Sequence, residues 1–410
     1  MTPIKLADRM EFVNSDIRGP LFIEANRMEA RGEKVLKLNT GNPGKFGFPM
    51  PESVRDSLLS QVERAVPYCD VQGMPEAREA ICEYQQGRGF QGITPADVCI
   101  GNGVSEIAGM IGSALFNPGD EVLIPTPSYS LWTNVAVIAE ARPVLYRCDE
   151  TNSWYPDVED IRRKITPKTK AILVINPNNP TGAVYPTEIL LDIIALAWEH
   201  DLVIISDEIY DRLVMDDLSA VSVAALAPDL PVVTCNGLSK SHIICGFRCG
   251  WMVVSGPAAF RTSFMGAIHK LAAMRLCSNA LTQLVIPAAL ADPGSTRSML
   301  LPGGRLFEQR EATCRALDQI PGISYVKNHA AFYLFPKIDT ERFHITSDRQ
   351  FALDVLHGTH VLFIPGSGFD WAAPDHFRLV MLPEAEILYD AMMRLGRFLE
   401  TYRQTDHPVI

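Results

Sequence analysis

Short apolar runs alternate with segments of helical periodicity between residues 97 and 206, and this alternation constrains the fold more than any other feature of the sequence. The apolar runs predict strands at residues 98–100, 121–125, 143–147, 171–175 and 202–206. The intervening segments predict helices at residues 105–116, 131–141, 158–165 and 188–198. Because strands that alternate with helices form βαβ units, we expect an α/β fold with a mostly parallel sheet buried between helices.

The two ends of the chain have a different, mixed pattern. Near the N-terminus, Arg18-Gly19-Pro20 opens a predicted helix, and residues 34–38 form a predicted short strand. In the C-terminal part, strands are predicted at residues 324–326, 332–335, 361–364 and 377–381, and helices at residues 304–320, 350–357 and 384–401. We therefore expect both ends to build one small α+β domain.

A turn-forming stretch at residues 291–295 is the clearest boundary signal. It follows two long predicted helices at residues 258–277 and 280–291. We predict three parts: an N-terminal arm with part of the small domain (1–50), a large α/β domain (51–295) and a C-terminal small α+β domain (296–410).

Composition narrows the possible partners. The chain of 410 residues is 47% hydrophobic and 21% charged, as in soluble globular proteins, and no apolar stretch is long enough to cross a bilayer. Its net charge of −11 leaves no basic excess for binding nucleic acid. Nine cysteines without a CxxC pair, and no secretory signal, predict reduced thiols and a cytoplasmic location. Nine histidines without an HExxH motif give no reason to expect a metal.

The segment from Asn236 to Trp251 contains a lysine and an arginine of special interest. Lys240 follows an apolar run on a Gly/Ser turn, and burial would shift it toward a neutral amine that can form a Schiff base with an aldehyde. Arg248, between small residues, suits a phosphate. An aldehyde and a phosphate together indicate pyridoxal phosphate, although a surface lysine and arginine explain this segment equally well.

A glycine-containing loop, Gly101-Asn102-Gly103-Val104-Ser105-Glu106, joins a predicted strand to a predicted helix. Glu106 occupies the third glycine position of the dinucleotide fingerprint, so that motif fails. A loop that leads into a helix N-terminus is nevertheless a predicted anion site. The alternative is an ordinary helix start capped by Ser105.

Two further motifs end predicted strands. Asn176-Pro177-Asn178-Asn179-Pro180-Thr181-Gly182 follows the strand at 171–175, at the edge where open α/β sheets bind ligands. Asp207 ends the next strand, in Asp207-Glu208-Ile209-Tyr210. Its carboxylate is either a helix cap or the partner of a buried cation, which for pyridoxal phosphate is the pyridinium nitrogen.

Together these motifs resemble class I pyridoxal-phosphate-dependent aminotransferases, in order and spacing, along nearly the whole chain. The matching strings are N-P-x-N-P-T-G, D-E-I-Y and S-K…G-F-R-x-G. The chain resembles bacterial glutamate–pyruvate (alanine) aminotransferases most, through the segments at 16–20, 41–43, 67–70 and 236–240. The resemblance implies the fold of type I pyridoxal-phosphate enzymes, with a seven-stranded type of sheet in the large domain.

The resemblance also implies roles around the cofactor ring. Lys240 would bind the aldehyde as a Schiff base and, once displaced, move the Cα proton. Asp207 would pair with the ring nitrogen, and Asn179 and Tyr210 would hydrogen-bond the phenolic oxygen. Tyr129 would stack on the ring, unless it is a core aromatic residue.

The phosphate would be bound by a second implied group: Gly103, Val104, Ser105, Ser239, Arg248 and, from the neighbouring subunit, Tyr68. A homodimer with shared active sites follows from the role of Tyr68. One position departs from the family pattern, because Gly237 stands where many members have a phosphate-binding serine.

Substrate binding is implied for Arg378, which would hold the α-carboxylate with help from Gly41 and Asn179. Arg378 could alternatively form a structural ion pair. We expect Arg18 to bind the second carboxylate of glutamate, with Arg275 a weaker candidate and a surface arginine the alternative interpretation of Arg18.

The expected reaction is ping-pong transamination between L-alanine and 2-oxoglutarate. Three alternatives stay open. The chain could act on aromatic amino acids or kynurenine, catalyse β-elimination on the same fold, or bind the cofactor as a non-catalytic regulator. The last is disfavoured because no winged-helix extension or basic patch accompanies the motifs.

Overall fold

The computed structural model describes residues 4–292, 294 and 296–405. Its first elements are α1 (Pro20–Ala30), β1 (Leu36–Lys37), α2 (Glu52–Gln61) and α3 (Pro75–Gly87). Pro20 and Pro75 are the first residues of their helices, where the fixed φ of proline is already helical and its missing N–H has no intrahelical acceptor. The N-terminal helix and strand predicted from the sequence are both present.

The central part of the chain builds the largest sheet. Its strands are β2 (Val98–Gly101), β3 (Glu121–Thr126), β4 (Arg142–Asp149), β5 (Tyr155–Pro156), β6 (Thr169–Ile175), β7 (Val203–Asp207), β8 (Val232–Gly237) and β9 (Gly250–Ser255). The helices among them are α4 (Val104–Leu115), α5 (Leu131–Ile138), α6 (Val158–Lys164), α7 (Thr187–Glu199), α8 (Val223–Leu226) and α9 (Leu238–Ser241).

The order of strands in this sheet is β2-β9-β8-β7-β6-β3-β4-β5. The strands β8, β7, β6, β3 and β4 are parallel neighbours, whereas β9 is antiparallel to both β2 and β8. Alternate residues of each strand enter separate cores on the two faces, as Val98 and Cys99 do in β2. The predicted mostly parallel sheet of seven strands is confirmed, and β5 adds two residues antiparallel to β4 at its edge.

Three helices follow the sheet: α10 (Ala258–Met274), α11 (Ala280–Gln283) and α12 (Ile286–Ala291). The single helix predicted at 280–291 is therefore wrong. Pro287 has no N–H to donate to the carbonyl of Gln283, the last residue of α11, so the helix breaks there and restarts with Pro287 in the first turn of α12.

The C-terminal part is built from short strands and helices. They are α13 (Arg297–Leu300), α14 (Arg305–Leu317), β10 (Ile323–Ser324), β11 (Tyr333–Leu334), β12 (Lys337–Ile338), α15 (Thr340–Phe343), α16 (Asp348–Thr359), β13 (Val361–Leu362), β14 (Ile364–Pro365), β15 (Phe377–Val380) and α17 (Ala385–Thr401). The strand predicted at 361–364 is split, because β13 pairs with β1 while β14 pairs with β15.

A separate hydrophobic core unites the two ends of the chain. Leu38, next to β1, packs with residues of α14, α16, β15 and α17, and β1 runs parallel to β13. The exact domain boundaries stay a prediction, since Pro293 and Ser295 of the boundary stretch lie outside the described residues. None of the helices in the described part is long and apolar enough to cross a membrane.

Candidate active site

A cavity of about 750 Å³ lies at the carboxyl ends of β6 and β7. Ile175 and Asp207, the last residues of these strands, line it beside the first residues of α4. This is the edge at which open α/β sheets bind ligands. Most of the site residues predicted from the sequence line this one cavity: Arg18, Gly41, Val104, Ser105, Tyr129, Asn179, Asp207, Tyr210, Ser239, Lys240, Arg248 and Arg378.

Lys240 lies in α9, the single helical turn that directly follows β8. Its ammonium donates to the carbonyl oxygen of Gly41 across 2.8 Å and lies 3.8 Å from the Cys245 Sγ atom. Burial lowers the pKa of Lys240, but Tyr333 and Cys245, which become anions when they ionise, outweigh burial and raise the pKa. The prediction that burial makes this amine neutral is therefore wrong, because the neighbouring side chains raise its pKa by more than burial lowers it.

Asp207 is buried and bonded only to neutral donors. Its Oδ2 accepts from the indole N–H of Trp132 across 2.9 Å, and its Oδ1 accepts from the backbone N–H of Ile209 across 3.3 Å. Burial raises the pKa of Asp207 to about 6 in spite of these bonds. No cationic side chain of the described residues pairs with it, so a cation on a bound ligand would supply its counter-charge.

The loop between Asn176 and Gly182 is closed by its own side chains. The Oδ1 atom of Asn178 accepts from the backbone N–H of Thr181 across 3.2 Å and from its hydroxyl across 2.9 Å. Gly182 has φ 67°, and a Cβ there would lie 2.6 Å from the Ala330 carbonyl oxygen, so glycine is required. These contacts leave Asn179 to project into the cavity, where its Oδ1 accepts from Arg378 across 3.1 Å.

Tyr210 is paired with Tyr333, a residue of β11 that no sequence motif contains. The Tyr210 hydroxyl donates to the Tyr333 hydroxyl across 2.9 Å. Burial raises the pKa of Tyr210 well above its ordinary value. The hydroxyl is therefore neutral at physiological pH, and rotation of its O–H away from Tyr333 would let it donate to a ligand oxygen.

The start of α4 and Arg248 form one polar end of the cavity. Gly103 precedes α4 with φ 84°, and a Cβ there would collide with the Arg248 guanidinium. The first-turn amides of Val104 and Ser105 have no intrahelical acceptor and face an anion site by helix geometry. Glu106, which breaks the dinucleotide fingerprint, holds this loop by accepting from the backbone N–H of Asn102 across 2.7 Å.

Close packing of the backbone around Gly237 explains why this position does not hold the serine that many family members have. Gly237 ends β8 opposite Gly250 of β9, and a Cβ on it would lie 2.5 Å from the Cys249 carbonyl oxygen and 2.9 Å from the Gly250 Cα. These are backbone atoms that cannot yield, so no side chain fits. Of the predicted phosphate ligands, Ser105 and Ser239 carry hydroxyls and line the cavity.

Arg378, on β15, is 2% exposed and has no acidic partner among the described residues. Its guanidinium donates to the side-chain oxygen of Asn179 and to the backbone carbonyl of Asn39, and its Nε atom has no hydrogen-bond acceptor. Burial lowers its pKa. The alternative interpretation of Arg378 as half of a structural ion pair is therefore wrong. Its guanidinium is available to bind an anionic ligand.

Arg18 and Arg275 differ in their availability. Arg18 lines the cavity, and its side chain forms no hydrogen bond or ion pair with the described residues. Arg275 pairs with Glu106 at 3.3 Å and donates to the Ile100 carbonyl across 2.8 Å, outside the cavity wall. Arg275 is thus occupied elsewhere and is withdrawn as a candidate for the second carboxylate.

Two predicted residues do not line the cavity. Gly103 lies against Arg248, as described above, and supports the site through its backbone. Tyr68 is 78% exposed on the chain surface. Its predicted contact with a neighbouring subunit stays a prediction.

Comparison with known proteins identifies the family. The model of the class I and II aminotransferases matches residues 33–391, and the chain belongs to this family. Its enzymes depend on pyridoxal phosphate, and the chain is an aminotransferase.

Individual relatives are similar over almost their whole length. The glutamate-pyruvate aminotransferase AlaA of Haemophilus influenzae is 48% identical, covering 97% of this chain and 98% of its own. The protein of the same name from Escherichia coli (strain K12) is 46% identical, covering 98% and 100%. A crystal structure of an aminotransferase from Escherichia coli superposes with a TM-score of 0.97 at 45% identity, covering 98% of this chain and 100% of that one.

The donor set of the cavity fits pyridoxal phosphate. The α4 N-terminus and Arg248 match a phosphate, the buried Asp207 matches a ring cation, Tyr210 and Asn179 match a ring oxygen, and Lys240 matches an aldehyde. Asp207 and Arg248, which have no charged partner among the described residues, would thus each meet a group of opposite charge on pyridoxal phosphate.

Tyr333 and Cys245 line the cavity, and Trp132 and Asn39 bond to residues that line it, but no sequence motif indicates these four residues. Trp132 had a weak signal, since it lies three residues beyond Tyr129. Tyr333 had none, because 123 residues separate it from Tyr210.

Proposed function

We propose that this aminotransferase moves an amino group between L-alanine and 2-oxoglutarate, giving pyruvate and L-glutamate by a ping-pong mechanism. The observation that carries the proposal is the buried Arg378 guanidinium, which has no acidic partner within the described part of the chain and shares a cavity with Lys240 and Asp207. The names of the relatives from Escherichia coli and Haemophilus influenzae support the choice of substrates.

Lys240 is the proposed catalytic residue. Pyridoxal phosphate, when bound, supplies an aldehyde that takes up the amino group and a ring that accepts electrons from the substrate Cα. Lys240 holds the aldehyde in the resting enzyme and, once released by substrate, removes the Cα proton and returns it as general base and acid. Its contact with the Gly41 carbonyl supports this role, because Gly41 is also a proposed neighbour of the substrate carboxylate.

The other polar residues hold the cofactor in our proposal. Asp207 keeps a proton on the ring nitrogen, which requires the carboxylate form that a nearby cation favours. Asn179 and Tyr210 donate to the ring oxygen, and Tyr129 packs on the ring face. The phosphate is bound by the backbone of Gly103 to Ser105, by Arg248 and by Ser239.

Arg378 orients the substrate. Its planar guanidinium can donate two parallel hydrogen bonds to the α-carboxylate, with Gly41 and Asn179 beside it. Fixing the carboxylate fixes the direction of the Cα–H bond relative to Lys240. Movement of a small domain, which we propose to comprise residues 1–50 and 296–410, against the large domain (51–295) would exclude water from this site.

Arg18 is the proposed ligand of the second carboxylate of glutamate. Its side chain lines the cavity and is unpaired among residues 4–292, 294 and 296–405. Because alanine lacks this carboxylate, Arg18→Ala should lower kcat/KM for glutamate and 2-oxoglutarate about 10- to 100-fold, with little effect on alanine. Steady-state kinetics in both directions measure this selectivity, and equal losses for both substrates would remove Arg18 from the assignment.

A half-reaction tests the substrates directly. Single amino acids are added to the holoenzyme, and the absorbance of the bound cofactor is followed. Alanine and glutamate should convert it fastest. Faster conversion by tyrosine, phenylalanine or kynurenine would favour the aromatic alternative, and pyruvate released without added oxo acid would favour β-elimination.

We further propose a cytoplasmic homodimer in which Tyr68 contacts the phosphate of the neighbouring site. Its exposure on the single chain and nine cysteines without a disulfide support these two points. Sedimentation gives the assembly, and Tyr68→Phe should weaken cofactor affinity without dissociating the dimer. A protein that binds no cofactor, with no yellow absorbance after reconstitution, would instead contradict the enzyme assignment.

A further inference from the structure

Residues 14–18, which we call the strap, set the position of Arg18. Asn14, Ser15, Ile17 and Arg18 line the cavity, and a short 3-10 helix (Asp16–Arg18) forms the end of the strap. The Arg18 side chain has no anchor of its own among the described residues. The direction in which its guanidinium reaches therefore depends on how the strap backbone is held.

Asn134, on α5, anchors the strap from the side of the large sheet. Its Oδ1 accepts from the backbone N–H of Asn14, and its Nδ2 donates to the backbone carbonyl of Asn14, both across 2.8 Å. The Asn14 side chain then accepts from the backbone N–H of Asp16 across 2.9 Å. One amide thus fixes both backbone groups of a strap residue.

Asn39, just after β1, anchors the strap from the other end of the fold. Its side-chain amide donates to the Ile17 carbonyl across 3.0 Å, and its own backbone carbonyl accepts from Arg378. Asn39 is 1% exposed, so both bonds are shielded from water. This residue links the proposed α-carboxylate site directly to the backbone that precedes Arg18.

A third contact is weaker. Arg349 of α16 pairs with Asp16 at 2.6 Å, but its side chain is 52% exposed and solvent screens such pairs. Beside the strap lies a second cavity of about 200 Å³, lined by Asp16, Pro20 and Leu353 among others. The strap therefore has space to shift when its amide anchors are removed.

We propose that Asn134 and Asn39 are positioning residues that select substrates with a second carboxylate, because they hold the strap where Arg18 can meet that group. The inference rests on the proposed function, and specifically on the role of Arg18. In this proposal, the strap distinguishes the dicarboxylic substrates, glutamate and 2-oxoglutarate, from the monocarboxylic substrates, alanine and pyruvate.

The test uses Asn134→Ala in the holoenzyme, with Arg9→Ala as the matched control. Arg9 also connects the N-terminal segment to the large sheet domain, through an ion pair with Glu140 at 2.9 Å, but it lies outside the strap. Half-reaction rates with glutamate and alanine are measured together with calorimetric Kd values for glutarate and propionate. Loss of the two hydrogen bonds should weaken glutamate and glutarate about tenfold, leave alanine and propionate within about twofold, and leave Arg9→Ala unchanged.

A double variant checks that the effect acts through Arg18. In an Arg18→Ala background, Asn134→Ala should cause no further loss with glutamate, since the group that it positions is gone. Equal losses for glutamate and alanine, or additive losses in the double variant, would overturn the positioning role. Asn39→Ala, which keeps the backbone carbonyl that binds Arg378, should lower the ratio of the glutamate rate to the alanine rate in the same direction.

The two proposals fail in different ways. A wild-type holoenzyme that does not react with alanine or glutamate would contradict the proposed function. An unchanged glutarate affinity in Asn134→Ala, alongside a reduced affinity in Arg18→Ala, would overturn the strap inference alone.

Discussion

Arg310 and Arg378 are both almost completely buried, yet their surroundings differ in one respect. Arg310, on α14, donates to both carboxylate oxygens of Asp216 across 2.5 and 2.7 Å and pairs with Glu311 at 3.0 Å. Among the described residues, Arg378 donates only to neutral oxygens, packs on the rings of Tyr333 and Phe369, and has no acceptor for its Nε–H. Burial lowers the pKa of both, but the acidic neighbours of Arg310 reverse the direction, whereas the pKa of Arg378 stays lowered.

The difference separates a structural charge from a functional one. A buried cation without a counter-charge is unfavourable, and the fold retains it only if something else supplies the anion. For Arg310 the protein supplies it, and for Arg378 we propose that the substrate does. Asp207 is the matching case of opposite sign, since its carboxylate also meets only neutral donors.

The largest expected effect is on catalysis at Arg378. Arg378→Met should lower kcat/KM for every amino-acid substrate by about 10²–10³-fold, because the carboxylate loses its charged, bidentate partner. The unfolding free energy should stay the same or rise, since an uncompensated buried charge is removed. Steady-state kinetics and urea unfolding of the same sample measure both; a large loss of stability would make Arg378 structural.

Arg310→Met should show the opposite pattern. Without the guanidinium, Asp216 keeps only His329, at 2.7 Å, as a side-chain partner among the described residues. This loss should cost about 3 kcal/mol of stability, with KM for alanine unchanged. Urea unfolding provides the measurement. Adding Asp216→Asn should recover part of the loss, and failure to do so would show that packing, rather than charge, dominates at Arg310.

A smaller effect is expected from Asp207 in the apoprotein. Its raised pKa of about 6 means that the folded chain holds this proton more tightly than the unfolded chain does. The stabilisation is therefore complete below the ordinary carboxyl pKa and is lost as the pH rises through about 6. Asp207→Asn should make the apoprotein more stable by about 2–3 kcal/mol near pH 8 and not near pH 4.

Thermal or urea unfolding of the apoprotein at both pH values checks this prediction. Asn keeps an oxygen that can accept from Trp132, so the variant isolates the charge. The holoenzyme should respond in the opposite sense, because the ring nitrogen then loses its partner. An equal change at both pH values would contradict the assigned cause.

Much of the fold follows from local sequence patterns. The apolar runs that became β3, β6 and β7 are continuous, since parallel strands are buried on both faces, and the helices between them keep their period. The break between α11 and α12 was missed because Pro287 acts on a carbonyl one turn earlier. The split between β13 and β14 depends on partners far away in the sequence, which periodicity does not encode.

The site was predictable only where a motif carries it. The motifs contain Lys240, Asp207, Asn179 and Arg248. In contrast, the bond of Trp132 to Asp207 and that of Tyr210 to Tyr333 join segments that are distant in the sequence. Gly237 stood out in the sequence as a departure, but its reason, the backbone of Cys249 and Gly250, required the three-dimensional fold. The sequence also could not predict that Arg378 has no acidic partner among the described residues, because that depends on which side chains the fold brings next to it.

Arg378 is the proposed ligand of the substrate α-carboxylate. The most direct test compares half-reaction rates for L-alanine and L-alaninamide, which lacks that charge, in the wild-type holoenzyme and in Arg378→Met. We predict that the wild-type enzyme prefers alanine by about 10²–10³-fold and that this preference collapses toward unity in the variant. A preference that survives the substitution would contradict the account, because the carboxylate would then be bound elsewhere.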